Sequence, residues 1–257
     1  MRTRLSILAA GLLALCALAT AGCGGGGAPA TGSARGTVSV GLQFQPRPAA
    51  PSKASGKTTV ARTRQAFAGN IPFGALSVTV SLTNPSTGAA LAPTRVVTAP
   101  FDTGGNLLPL ITVQFASLPI GPVRVDVAAF PTVSATGNVL ATGTATGTIL
   151  PAQTITLTAP MVMRVVRVVV NPPQLSINQD GDMAQISGNA LDANNQPLDL
   201  PLFFVSSDPD LASVAPTSGG SNQATVSTPV GGSSGTTQIT VYEPNSQISA
   251  TLPVTIR

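Results

Sequence analysis

An all-β body, two successive β-sandwiches behind a cleaved signal peptide and a flexible tether, is what this 257-residue sequence predicts. Three observations predict it. Short runs rich in Val, Thr and Ile alternate apolar with polar residues, the period of a strand with one buried face. Gly, Pro, Asn and Asp break those runs at intervals of about 8–12 residues, the turn spacing of a sandwich. No stretch beyond the amino-terminal segment sustains a helical period. Charged residues make up only 9 % of the chain, so charge-driven disorder is excluded outside the linkers and the apolar runs must pack.

The chain opens with Arg2 and Arg4, an apolar run from Leu5 to Ala19, and small residues up to Cys23. That order is a secretory signal. The run is shorter than the about 20 residues a retained spanning helix needs. Thr20-Ala21-Gly22-Cys23 resembles the lipobox of bacterial lipoproteins. The resemblance implies a signal peptide at 1–22 and acylation of Cys23 on its thiol and its new amino group. Thr20 stands where that motif usually carries leucine, and Ala19-Thr20-Ala21 also fits the A-x-A rule for release of a soluble chain from Gly22. Lipidation is the preferred reading, because Cys16 leaves with the signal and Cys23 is then the lone cysteine, placed where an anchor needs it. A lone cysteine also excludes an intrachain disulfide. The expected location is exported and membrane-anchored, at the outer membrane or cell surface. The lipoprotein resemblance further implies, from Gly24 in place of aspartate after Cys23, the outer membrane where the envelope has two.

Residues 23–35 read as a Gly/Ala/Ser tether. The first sandwich is expected over 36–160. Val38, Val40, Leu42 and Phe44 alternate with polar residues, so 37–44 is predicted to be a strand docked into that sandwich. Segment 45–70, with Pro46, Pro48, Pro51, Gly56 and several cations, loses the pattern and reads as a basic, proline-rich mobile loop. Further strands are predicted near 76–82, 94–98, 107–115, 122–129, 139–149 and 153–158. Turns come at Asn84-Pro85-Ser86-Thr87-Gly88, Asp102-Thr103-Gly104-Gly105, Leu118-Pro119-Ile120-Gly121 and Thr136-Gly137-Asn138. The phrase FASLPIGPVRVDV at 115–127 resembles one found in transthyretin-like (prealbumin-type) modules of surface proteins.

Residues 159–164 read as a short, stiff junction, and a second sandwich is expected over 165–257. Its strands are predicted near 165–170, 175–177, 183–190, 202–206, 224–227, 236–242 and 249–256. Phe204-Val205-Ser206-Ser207-Asp208-Pro209 with Leu211-Ala212-Ser213-Val214 is similar to the WSSSDPSVATV phrase of bacterial immunoglobulin-like group 2 domains. Gly235-Thr236-Thr237-Gln238-Ile239-Thr240-Val241 and the turn Asp192 to Leu198 match further phrases of that family. The resemblance implies an Ig-like sandwich, with Phe204 in the place of the usual tryptophan. Asp208 is expected to bond the backbone of its own turn, and Ile239 and Val241 to face inward while Thr240 faces out.

The chain has no histidine. That removes the usual general base, the Ser-His-Asp triad and most zinc sites. The carboxylates are Asp102, Asp126, Asp180, Asp182, Asp192, Asp199, Asp208, Asp210 and Glu243, almost all in predicted turns. With no tryptophan and one tyrosine, Tyr242, a sugar-stacking cleft for glycoside hydrolysis is not evident. No catalytic residue, cofactor or resident metal is therefore assigned. Asn178-Gln179-Asp180-Gly181-Asp182 gathers oxygen ligands of the kind calcium takes, but a hairpin tip accounts for it equally well. Before Pro100 the mature chain carries Arg35, Arg47, Lys53, Lys57, Arg62, Arg64 and Arg95 with no acid. So thin a spread reads as a solvated linker, and without interleaved aromatics it does not suit nucleic acid. The expected role is non-catalytic presentation of Ig-like modules for adhesion or protein contact. The alternatives are a polysaccharide or wall-polymer binder, or the accessory domain of an exported hydrolase.

Overall fold

The computed structural model describes residues 34–45, 70–100, 110–217 and 222–257. The signal, Cys23, most of the tether, segment 46–69 and the turns at Asp102 and Ser218 lie outside them. In chain order the first strands are β1 (Arg35–Phe44), β2 (Asn70–Ile71), β3 (Ser77–Thr83), β4 (Ala90–Thr98) and β5 (Leu110–Pro119). They are followed by β6 (Gly121–Phe130), β7 (Ala141–Ile149), β8 (Thr154–Leu157) and β9 (Met161–Met163). Among the described residues the regular structure is all strand.

Alternation puts Val38, Val40, Leu42 and Phe44 on one side of β1, and all four are buried. The strand is a centre, not a loose arm. It pairs antiparallel with β5, and parallel with β2 at one end and β8 at the other. The second sheet runs β4-β3-β6-β7-β9. Its inward side chains, Val78, Val80, Leu82, Val123, Val125 and Val127, form one core with Val113, Phe115 and Leu118 of the first sheet. Each such side chain contributes about 1.5–3 kcal/mol by leaving water. The chain changes sheets at Ile120, between β5 and β6, where Gly121 takes a φ of 128° that a side chain would resist. It changes again between β7 and β8, so Gly147 of β7 lies under Leu157 and Ile155.

The remaining strands are β10 (Arg167–Asn171), β11 (Leu175–Ile177), β12 (Met183–Leu191), β13 (Pro197–Leu198) and β14 (Phe203–Ser206). After them come β15 (Ser213–Pro216), β16 (Gln223–Ser227), β17 (Gly235–Tyr242) and β18 (Ser249–Ile256). One sheet runs β10-β12-β16-β15 with β13 beside β12, and the other runs β11-β18-β17-β14. Ile186, Ala190, Ala224 and Val226 of the first face Ile239, Val241, Leu252 and Val254 of the second across a dry core. The two sheets close tightly at Gly188. A Cβ there would lie 2.7 Å from Leu202 Cδ1 and 3.1 Å from Val241 Cγ1.

Among the described residues, every strand pair joins two elements of 35–163 or two of 167–257. The boundaries differ from the sequence reading in places. Residues 159–164, read as a linker, contribute β9, which pairs antiparallel with β7. The strand expected from Val165 begins at Arg167, because Val165 is buried while Val166 turns out to solvent at 56 % exposure. The strand expected at 107–115 runs to Pro119, past a register shift in β1 between Gly36 and Val38.

Candidate functional site

Cys23, the one residue to which the sequence assigns a chemical role, lies outside the described residues, as does Asp102. The other carboxylates fall into places built by turns and hairpins. Asp126 holds Arg124 at 2.7 Å and accepts from Thr144 Oγ1 at 3.0 Å on an outward sheet face. So exposed a pair contributes little to stability. Asp192 is buried and accepts the backbone N–H groups of Asn194 at 2.8 Å and Gln196 at 2.9 Å. Asp208 accepts from Asp210 N and Leu211 N, at 3.2 and 3.3 Å, as an Asx turn does.

The Asn178 to Asp182 cluster is also held by side chain to backbone bonds, with Asp182 reaching back four residues. Asp182 Oδ2 accepts from Asn178 N at 2.9 Å and Asn178 Nδ2 at 3.1 Å, while Oδ1 accepts from Met183 N at 2.8 Å. The Asn178 and Met183 backbone donors hold the Asp182 carboxyl below its ordinary pKa of 3.8. Asp180 Oδ1 accepts from Gly231 N at 3.1 Å. Those donors account for the cluster as a backbone-bonded turn. Among the described residues no group of three or more His, Cys, Asp or Glu side chains is gathered as a metal site needs.

The exception among the carboxylates is Glu243. Alternation along β17 carries Thr237, Ile239 and Val241 inward, and Glu243 follows them at the end of the strand with 0 % exposure. A buried charge is costly unless it is hydrogen-bonded. Glu243 accepts from Asn245 N at 3.0 Å, from Asn245 Nδ2, and from Ser246 N at 2.6 Å. Asn245 in turn reaches the backbone of Phe73: its Oδ1 accepts from Phe73 N at 3.0 Å and its Nδ2 donates to Phe73 O at 3.2 Å. The Phe73 ring lies 6.5 Å from Phe203, which lies 5.7 Å from Tyr242. The sequence reading missed this cluster, although the period-two pattern of β17 carries the signal for an inward Glu243.

Among the clefts of the described surface are two small ones. One of about 220 Å³ is lined by Arg35, Gly36, Thr37, Ser117, Gln153 and neighbours, with Arg35 Nη1 already donating to Ser117 O at 2.6 Å. The other holds about 20 Å³ between Gln45, Asn70, Pro72, Met161, Met163 and Asn245. Both fall short of the roughly 300 Å³ at which small-molecule sites begin. Among the described residues no helix is long and apolar enough to cross a membrane.

No protein-family model matches the sequence. No curated protein matches it either. Solved structures do match in part. Domains 4 and 5 of the S-layer protein SbsC align at 16 % identity and a TM-score of 0.31, over 55 % of this chain and 67 % of that one. The D0-D1 domain of intimin aligns at 12 % identity and a TM-score of 0.27, over 70 % of this chain and 80 % of that one. Invasin, a bacterial integrin-binding protein, aligns at 12 % identity and a TM-score of 0.26, over 71 % of this chain but only 32 % of its own length. These are bacterial surface proteins. At TM-scores so low the likeness carries no argument about this chain's role, which rests on its own residues.

Proposed function

We propose that the chain is an exported lipoprotein, anchored through acylated Cys23, that presents its β-sandwich modules without catalysis for adhesion or protein contact. The observation that carries the non-catalytic part is the use made of the described carboxylates. Five of the eight described, Asp180, Asp182, Asp192, Asp208 and Glu243, each hold the backbone of a turn, which is a structural use of an acid. Protein is preferred to polysaccharide as the ligand because the chain has no tryptophan and a single tyrosine, and the described ring cluster is packed on itself. Phe73, Phe203 and Tyr242 pack on one another. The basic, lipobox-ended amino terminus supports the anchor, and multiple acylation of the kind the lipobox resemblance implies would make it lasting.

Two measurements test this reading. Cys23→Ser is expected to move the protein from the detergent to the aqueous phase on partitioning; a variant left wholly in detergent contradicts the anchor. The mature chain, presented to an array of purified extracellular proteins and one of polysaccharides, is expected to bind saturably to protein spots. Binding to glycan spots alone would favour the polysaccharide reading, and turnover of either array would contradict a non-catalytic role.

A further inference from the structure

We propose that Asn245 is a clamp between the two sandwiches, set in its working orientation by the buried Glu243 carboxylate, and that it makes the sandwiches move and unfold as one body. The proposal stands on the packing of the described residues and is independent of the adhesion reading.

A side-chain amide offers one acceptor and two N–H donors, and all three are used here. Oδ1 takes the Phe73 N–H, and the two N–H groups of Nδ2 go to Phe73 O and Glu243 Oε1. Exchange of both bonds with the N–H and C=O of one residue is what a hydrogen-bonded partner does in an antiparallel ladder. Asn245 thus does for Phe73 what a neighbouring strand would do, across 172 residues of sequence. Only one orientation of the amide works. Were it reversed, Oδ1 would face the Glu243 carboxylate and Nδ2 the Phe73 N–H. Glu243 excludes that state, since a carboxylate accepts and does not donate. Its own position is fixed by the strand alternation and by the Asn245 and Ser246 backbone donors, as charge-assisted bonds of the stronger class.

Packing around the clamp leaves little play. Gly74 has a φ of 96°, and a Cβ there would sit 2.6 Å from Pro201 Cδ, so the turn after Phe73 is in van der Waals contact with the second sandwich. The Phe73, Phe203 and Tyr242 rings close the same side. Two further polar links join the sandwiches: Asn138 Nδ2 donates to Pro197 O at 2.7 Å at an exposed position, and the half-exposed Arg164 approaches the buried Asp192 at a long 3.7 Å.

The test is hydrogen exchange and scanning calorimetry on the full chain. The wild type is expected to unfold in one transition with a protected Phe73 amide. Asn245→Ala is expected to lower protection at Phe73 by about tenfold and to split the transition in two. Asn245→Asp should do the same, because it sets a second carboxylate against Glu243. Asn138→Ala, which removes the hydrogen bond to Pro197 O elsewhere between the sandwiches, should leave protection at Phe73 and the single transition unchanged, which a general loosening would not do. Two transitions in the wild type, unchanged protection at Phe73 in Asn245→Ala, or an equal loss in Asn138→Ala would overturn the proposal. Should Asn245→Ala not fold, Asn245→Asp against the Asn138→Ala control decides it.

Discussion

Ile239 and Thr240 are neighbours on β17 with opposite surroundings. Ile239 is wholly buried among both sheets of the second sandwich, while Thr240 lies on the outer face and is half-buried. Ile239→Ala is expected to cost about 2–5 kcal/mol, the range for emptying a packed aliphatic site, and Thr240→Ala no more than about 1 kcal/mol. Urea unfolding measures both, and equal losses would mean a strand out of register. Two titrations probe the same scale. Burial raises the Tyr242 phenol above its ordinary pKa of 10.0, and as the only tyrosine it alone gives the tyrosinate absorbance. A midpoint above 10.0 is expected. The matching stability is fully present below the unfolded pKa and is lost as pH rises through the folded one. Asp182 has the opposite sign: its folded pKa is depressed by backbone donors, so its contribution is present above the unfolded value and lost as pH falls through the lower folded value. Asp182→Asn should flatten that acid limb. Asp208 was legible in the sequence, because an Asx turn needs only a carboxylate two residues before its donor. The clamp at Asn245 was not, because its partner Phe73 is distant in the chain.

Strands show where alternation suffices as a guide and where it fails. β1, β3, β17 and β18 were plain in the sequence, since each alternates buried apolar residues with polar ones over seven or more residues. β2 and β13 have two residues each, too few for any period to register. β9 follows Pro160 and reads as a linker until β7 is seen beside it. The close approaches are equally hidden, because a glycine in a strand gives no sign of what lies above it. Gly188→Ala is expected to destabilise by about 1–3 kcal/mol, the usual cost of overpacking, by driving a methyl into Leu202 and Val241. Gly36→Ala should cost as much or more, for its Cβ would meet Leu150 O at 2.5 Å, a backbone atom with no rotamer to yield. Thermal denaturation of the two variants checks this; a neutral Gly36→Ala would contradict the tight bulge beside β7.

At the scale of the molecule, fold class was legible because all-β architecture follows from composition and period alone. The join between the sandwiches was not, since it depends on a turn at 72–75 meeting a turn at 243–248. In the lipoprotein proposed above, this body is carried on the envelope by a lipid at Cys23. Intact-mass measurement of the protein extracted from membranes tests that most directly. The expected result is a chain that begins at Cys23 and exceeds the mass of residues 23–257 by that of its acyl groups. An unmodified chain beginning at Gly22 would contradict it.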